Sequence, residues 1–277
     1  VGERTRVELG RREDLGADCA NCFGLCCVAL AFARSADFPF AKEAGDPCVN
    51  LDDHDGCRIH SDLRGRGFKG CTVFDCFGAG QKVSRRTFGG RSWRGDPATR
   101  QAMFSAFPVV RRLHELLWYL DEAISLVGST RDPAPWSEAF ERIRSLSDAS
   151  AAQLVELDID AEFDGVRGLL IEASELARGG VRPGGRRLGP GIDLTGAALA
   201  GADLRGTTLR GSTAIAADLR NVNLGRCDLL GVDLRDADLR GADLAGAIYL
   251  TQMQVNSARG DALTTLPAGF QRPTHWV

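Results

Sequence analysis

Residues 192–211 read IDLTG-AALAG-ADLRG-TTLRG, and the register of five continues through STAIA, ADLRN, VNLGR, CDLLG, VDLRD, ADLRG, ADLAG and AIYLT to residue 251. The central position is Leu in ten of these twelve units, and the place two before it holds a small or aliphatic residue. A repeat of this kind decides the architecture before any local propensity does. An α-helix cannot present every fifth residue on one side, because five steps of about 100° miss a whole number of turns by about 140°. A strand of period two fails as well. The pattern is met by a coil that turns one corner every five residues. Four units then make a circuit, with Leu and the small residues inside and Asp, Arg and Gly outside or at the corners. Twelve units give three circuits, and stacking them at roughly the strand spacing of ~4.8 Å makes a rod only ~15 Å long. So short a solenoid needs capping at both ends.

These units resemble the pentapeptide-repeat family over roughly residues 188–260. The resemblance implies a right-handed quadrilateral parallel β-helix, and the tail "LTQMQVNSARGDALTTLPAGFQRPTHW" looks like the ending that often follows such arrays.

Outward from the repeats, the composition changes twice. Residues 96–180 carry helical patterns. Asp96-Pro97 has the form of an N-cap followed by proline in the first turn, and Val110, Leu113, Leu117, Leu120 and Ile124 recur at three- or four-residue steps as a buried stripe. Pro108 is expected to kink or interrupt this helix. Further helical patterns run through "PWSEAFERIRSL" and "AEFDGVRGLLIEASELA", and "VRPGGRRLGPG" at 181–191 looks like a linker. Residues 1–95 are rich in Cys, Gly, Asp and Phe with little periodicity, which predicts irregular loops held by metal in place of a large apolar core. The expected organisation is thus a Cys-rich metal-binding head (1–95), a helical domain (96–180), a pentapeptide-repeat β-helix (188–260) and a terminal cap (261–277).

Eight of the nine cysteines lie in the head: Cys19, Cys22, Cys26, Cys27, Cys48, Cys57, Cys71 and Cys76. Closely spaced thiolates can reach a shared ion at about 2.3 Å without costly loop closure, and remote pairs complete a tetrahedron. His60, two residues beyond Cys57 in a C-x2-H spacing, is a further candidate ligand. Cys26 and Cys27 are adjacent, so they do not easily serve one ion together. Cys-Phe-Gly recurs at 22–24 and 76–78, which suggests two halves of one site or two similar sites whose glycines let backbone amides face a bound thiolate. Zinc and iron–sulfur clusters both suit such ligands. Four disulfides would use the same eight thiols, and free or redox-active thiols are a third reading. A reducing compartment favours metal. The run CANCFGLCC, followed by "PCVNL", "GCRIH" and "GCTVFDC", resembles the cysteine-rich zinc- or iron-chelating family marked by CxxCxxCC, with one extra residue between Cys22 and Cys26. That resemblance implies metal chelation and no particular reaction.

Other residues carry bland readings. Cys227 fills the small-residue slot of CDLLG and is expected to pack inside. His114 lies in an apolar helix as a core or boundary residue, and His54 in a solvated turn. "GAGQ" at 78–81 lacks the long apolar strand that a phosphate loop follows. Arg85, Arg86, Arg91 and Arg94, with Phe88 and Trp93 between, form a basic stretch that reads as solvated linker.

The 34 Lys and Arg against 37 Asp and Glu, a net charge of −3, argue neither for a polyanion binder nor for a strong acidic mimic of one, and nucleic acid is not the partner expected. No apolar run reaches membrane-spanning length and the first residues have no signal-peptide character, so a cytoplasmic protein without a membrane role is expected. The function expected is a metal-binding protein, with zinc or an iron–sulfur cluster, whose repeat tract is a docking scaffold for a protein or peptide partner. A metal-dependent or redox enzyme acting on a peptide or small molecule is the alternative. A DNA-mimicking topoisomerase inhibitor fits less well, because the tract from 192 to 251 has eight Asp against six Arg. No catalytic residue, oligomeric state or partner identity follows from these patterns.

Overall fold

The computed structural model describes residues 10–128, 130–181 and 188–277. The sequence-based readings of the first nine residues and of most of the linker at 181–191 lie outside them. The helices are α1 (Leu25–Val28), α2 (Lys69–Val73), α3 (Ala79–Gln81), α4 (Pro97–Val127), α5 (Ala134–Ser147), α6 (Ala151–Glu156), α7 (Ile159–Arg178) and α8 (Gln252–Ser257). A π-helical turn at Lys82–Thr87 follows α3. None of the helices is long and apolar enough to cross a membrane, among the described residues. The chain forms two compact units, Val1–Leu170 and Ile171–Val277.

In the first unit, the 31-residue helix α4 organises the head. Asp96 caps it, its carboxylate accepting from the Ala98 and Thr99 amides, and the stripe Val110, Leu113, Leu117, Leu120 and Ile124 is buried. The helix runs through Pro108 without ending, so of the expected kink or interruption the interruption does not occur. Against it the head lays Arg12, whose guanidinium carbon stands 3.9 Å from the centre of the Trp118 ring while Nε lies 2.7 Å from Asp121. Arg111 donates to the Asp75 carbonyl at 2.9 Å. His114 is 2% exposed and meets the Phe77 carbonyl at 2.6 Å. A carbonyl only accepts, so Nδ1 carries the proton. The expectation of an irregular, metal-stapled head is therefore corrected. Short helices are built into it, and Leu25, Val28, Phe68, Phe77, Val83, Phe88 and Trp93 are buried. Its apolar residues find partners within the unit, which the lack of periodicity in residues 1–95 concealed.

The second unit corrects the fold expectation as well. No β-strand and no sheet exist among the described residues, so the tract is not the right-handed parallel β-helix the resemblance implied. What joins successive circuits is a set of isolated parallel bridges twenty residues apart, such as Asp193↔Thr213↔Asp233 and Ala198↔Asp218↔Asp238. The physical reason lies in the period. Each unit spends two residues on a turn, closed for example by Ala197 N–H on the Leu194 carbonyl at 2.9 Å, and only one residue per unit is left to bridge. Four units per circuit and inward-pointing central leucines do appear, and all ten of those leucines are buried. The fifth residue of ten of the first eleven units has positive φ, from Gly196 to Asp236 and Gly241. Glycine takes that conformation at no steric cost, whereas Ala216, Asn221, Arg226 and Asp236 take it with strain.

The second residue of the unit has a function in the turn. Asp193, Asp203, Asp218, Asn223, Asp228, Asp233, Asp238 and Asp243 each accept the amide two residues on, which closes the corner from the side chain. Along one side, the end of α7 is held by a buried carboxylate. Asp228 accepts from Ser174 Oγ and from Arg210 Nη2, each at 2.7 Å. Cys227 is fully buried, as an interior residue should be. At the C-terminal end, α8 is capped by a reciprocal Thr251–Gln254 box. The buried Gln254 amide donates to the Leu229 and Val232 carbonyls at 2.8 and 2.9 Å, and Trp276 donates to the Ala258 carbonyl at 3.0 Å.

Two predictions follow from this packing. Gln254→Ala strands two buried carbonyls and should cost about 2–4 kcal/mol, read as a lower urea midpoint. His114 gives a pH dependence. Burial pushes its imidazole down to about 4 from an ordinary value of 6.5. Above pH 6.5 both folded and unfolded chains keep it neutral. Between 6.5 and 4 only the unfolded chain takes up the proton, so stability falls by about 1.4 kcal/mol per pH unit, roughly 3 kcal/mol in all, and levels off below 4. His114→Gln should flatten the urea-denaturation profile over that window.

Candidate functional site

The thiols of the head are brought together by turns that depend on small residues. Gly24 has φ of +64°, and a Cβ there would stand 2.6 Å from Leu51 Cδ1 and 3.0 Å from the Asp55 carbonyl oxygen. Only glycine lets the loop 51–56 close over α1. Asp52 shapes that loop by accepting the His54 and Gly56 amides, each at 2.8 Å, and Arg94 clamps it through Asp55 and the Asp52 carbonyl. Cys57 is thereby delivered beside Cys27. Gly80 has a different reason. A Cβ on it would lie 2.7 Å from Cys22 Sγ and 3.9 Å from Cys76 Sγ, so the two sulfurs share its bare face.

Backbone amides face the sulfurs, as the repeated Cys-Phe-Gly suggests. Cys22 is hydrogen-bonded by the Leu25 amide, Cys76 by that of Gly80, and Cys57 by that of Ile59. Such bonds favour the thiolate. Burial opposes them and pushes Cys22 and Cys76 up to about 12. Cys71 is also pushed up to about 12, by burial and then by Cys26, Cys48 and Cys57. Cys27 behaves as the protonated member of the group. Its hydrogen bonds to Cys26 and Cys57 raise it well above the ordinary thiol value, while they lower Cys26 and bring Cys57 down to about 6. One S–H proton serves one of these neighbours at a time.

Cys26 and Cys27 are consecutive residues of α1. Cys19 acts on Cys22, and Cys48 donates its amide to the Cys27 carbonyl at 2.9 Å. His60 is exposed at the start of a 3-10 turn. All nine cysteines are free thiols. Among the described residues no three His, Cys, Asp or Glu side chains stand in ion-holding geometry. The chemistry of the donor set nevertheless suits a soft cation, being all sulfur with amide support.

Sequence patterns missed the residues that hold this cluster. Lys42, 7% exposed, donates to the Val28, Glu43 and Asp46 carbonyls at 3.3, 2.8 and 2.8 Å, which ties the end of α1 to the loop before Cys48. Phe23 is gripped by Ser84 Oγ on its amide and by Trp93 Nε1 on its carbonyl, at 3.0 and 2.8 Å. The basic stretch is therefore no solvated linker. Its first half is the π-helical turn, Phe88 and Trp93 are buried, and Arg85 lies over Phe23. In "GAGQ", the Gln81 side chain accepts from the Asp18 amide and donates to the Gly16 carbonyl, fixing the chain just before Cys19. The small residues of that motif were the only signal available.

Comparison with known proteins places two matches on the chain. The model of the family Pentapeptide repeats, in eight copies, matches residues 191–226 and 217–248, both within the repeat tract. The uncharacterized protein YybG of Bacillus subtilis (strain 168) is 55% identical over 267 residues, which is 95% of either chain. Among solved structures, a pentapeptide repeat protein from the Arabidopsis thaliana thylakoid lumen is 24% identical, covering 28% of this chain and 57% of that one with a TM-score of 0.15.

The thiol chemistry gives an ordered prediction for the reduced, metal-free protein. At pH 7 iodoacetamide should modify Cys57 ahead of Cys22 and Cys76, as read by peptide mass spectrometry over time. Gly80→Ala displaces Cys22 and should bring its alkylation forward, with a stability loss of about 1–3 kcal/mol.

Proposed function

Because the chain belongs to the pentapeptide-repeat proteins, in one family with YybG, we propose that its repeat tract is a scaffold and that its head is a thiol centre for a soft metal. Zinc and an iron–sulfur cluster are the two candidates. The observation that carries this reading is that sulfurs from separate stretches of chain, Cys22 and Cys76, meet over the bare face of Gly80, while the Cys48 amide is tied to the Cys27 carbonyl. Gathering thiols whose anions repel one another is costly unless a cation compensates. Amide bonds to Cys22, Cys57 and Cys76 support the same reading, since they stabilise sulfur as an anion. A reducing compartment, the cytoplasm, suits such a centre.

A protein or peptide is the partner class that suits the tract. Its aspartates are largely neutralised within their own units, Asp203 with Arg205, Asp218 with Arg220, Asp233 with Arg235 and Asp238 with Arg240, at 2.5–2.7 Å. Alternating paired charges offer hydrogen bonds in register and little long-range field, which favours a polar protein surface over mimicry of a polyanion.

Anaerobic purification followed by elemental analysis and an absorption spectrum tests the head. At least one equivalent of zinc, or iron with sulfide and visible absorption, is expected per chain, and Cys26→Ser should reduce it several-fold. Native mass spectrometry showing paired cystines and no metal would overturn the reading.

A further inference from the structure

We infer that the N-terminal end of the repeat tract is a docking surface for a second copy of this chain, the two joining head to head, first circuit against first circuit. This goes beyond the scaffold reading and is independent of the metal reading.

Within the tract, the second residue of each unit bonds its circuit to the one before. The Thr213 amide donates to the Ile192 carbonyl at 3.1 Å, and the Thr213 carbonyl accepts the Leu194 amide at 2.7 Å. Asp218 does the same with the Ala197 carbonyl and the Leu199 amide, at 3.0 and 2.9 Å. Both backbone groups of this residue therefore point toward the N-terminal end. In the first circuit the place is held by Asp193, Ala198 and Asp203, and among the described residues nothing bonds to their amides or carbonyls. On the fourth side the incoming chain lies under Arg210, whose carbonyl accepts the Gly191 amide at 2.8 Å.

The apolar interior stops short at the same place. Ile192, Ala197 and Ala202 are half-buried, whereas Ala217 and Val222, one circuit on, are 0% and 1% exposed. The opposite end is closed from within the chain: Gln254 takes the Leu229 and Val232 carbonyls, Thr264 takes that of Leu239, and Trp276 joins the core. A solenoid needs both ends covered, and an open row of bonding groups is a template for another chain.

The period selects the occupant. A straight strand meets one side of this edge, whereas a chain that turns a corner every five residues bonds to adjacent sides. A second copy has that period and the required polarity. Turned over about an axis perpendicular to the rod, its first circuit runs antiparallel to this one on every side. Facing residues of an antiparallel pair exchange both N–H···O bonds, and each edge residue here offers both groups. With the axis at the corner near Gly196, Asp193 faces Ala198 of the second copy and Ala198 faces its Asp193. No like charges meet, and the incoming segments under Arg210 stay apart. Gly196 is exposed and has φ of +64°, and a Cβ on it would meet nothing within 4 Å, so this corner is clear. Since the other end is capped, the association closes as a dimer and does not grow into a filament.

The test is analytical ultracentrifugation of the full-length chain over micromolar to submillimolar concentrations, in reductant and chelator so that neither cystine nor shared metal links two copies. A monomer–dimer equilibrium is expected. As the dimer fills, hydrogen exchange read by mass spectrometry should slow at the Asp193 and Ala198 amides, while those of Thr213 and Asp218 are protected throughout. Ala198→Pro removes a donor that the single chain does not use. Ala198→Asp, the residue found one circuit on at 218, sets a carboxylate against Asp193 of the second copy. Each should weaken association by about tenfold or more, and adding Asp193→Lys to Ala198→Asp should restore it. Leu263→Asp, at a 75% exposed position near the other end, should change nothing. Circular dichroism and the urea midpoint confirm folding of every variant scored. A monomer at all concentrations overturns the inference. So does a dimer whose Asp193 and Ala198 amides exchange as in the monomer, undiminished association of Ala198→Asp, or its loss in Leu263→Asp.

Discussion

Many of the sharp corners in both units are made by a residue of positive φ, and much of the packing follows from them. In the head, Gly24 lets the loop 51–56 close on α1, so sulfurs thirty residues apart in sequence become neighbours. In the tract, the same conformation at the fifth residue of ten units turns the chain and returns it to register twenty residues later. A Cβ is costly in that region of conformational space, by roughly 1–2 kcal/mol. The tract accepts that cost at Ala216, Asn221, Arg226 and Asp236, where bridges on both neighbouring circuits and a continuous apolar interior hold the corner in place.

The two units solve the problem of a limited core differently. The head borrows apolar surface from α4, with Phe77 against Trp118 and Trp93 against Phe104. It also uses backbone carbonyls at Phe77 and Asp75 as docking points for His114 and Arg111. The tract repeats one small core, two side chains deep, and satisfies its terminal carbonyls with Gln254 and Thr264 from the segment that follows. Neither unit leaves polar backbone to chance, and in both the satisfying group comes from outside the motif that the sequence advertises.

The thiol group is a case of competing terms. Burial pushes Cys22, Cys71 and Cys76 toward the neutral thiol, yet amides at Cys22, Cys57 and Cys76 and the hydrogen bonds of Cys27 to its neighbours pull toward the anion. The head has a buried apolar interior of its own, so its fold does not depend on the sulfurs alone.

By itself, the sequence determined the features that depend on spacing. The period of five requires four units per circuit with inward leucines, Asp96-Pro97 starts α4, Cys227 lies inside and His114 stays in the core. Each is a local pattern whose consequence is set within a few residues or by strict repetition. Tertiary structure alone decided that the tract has single bridges and no strands, because bridge length depends on how many residues the turn consumes. It alone showed that the head is packed, since its apolar residues show no period and find their partner on a helix up to a hundred residues away. Lys42, Ser84, Trp93 and Gly80 stayed silent for the same reason: what each does depends on a carbonyl, an amide or a sulfur that folding brings from elsewhere in the chain.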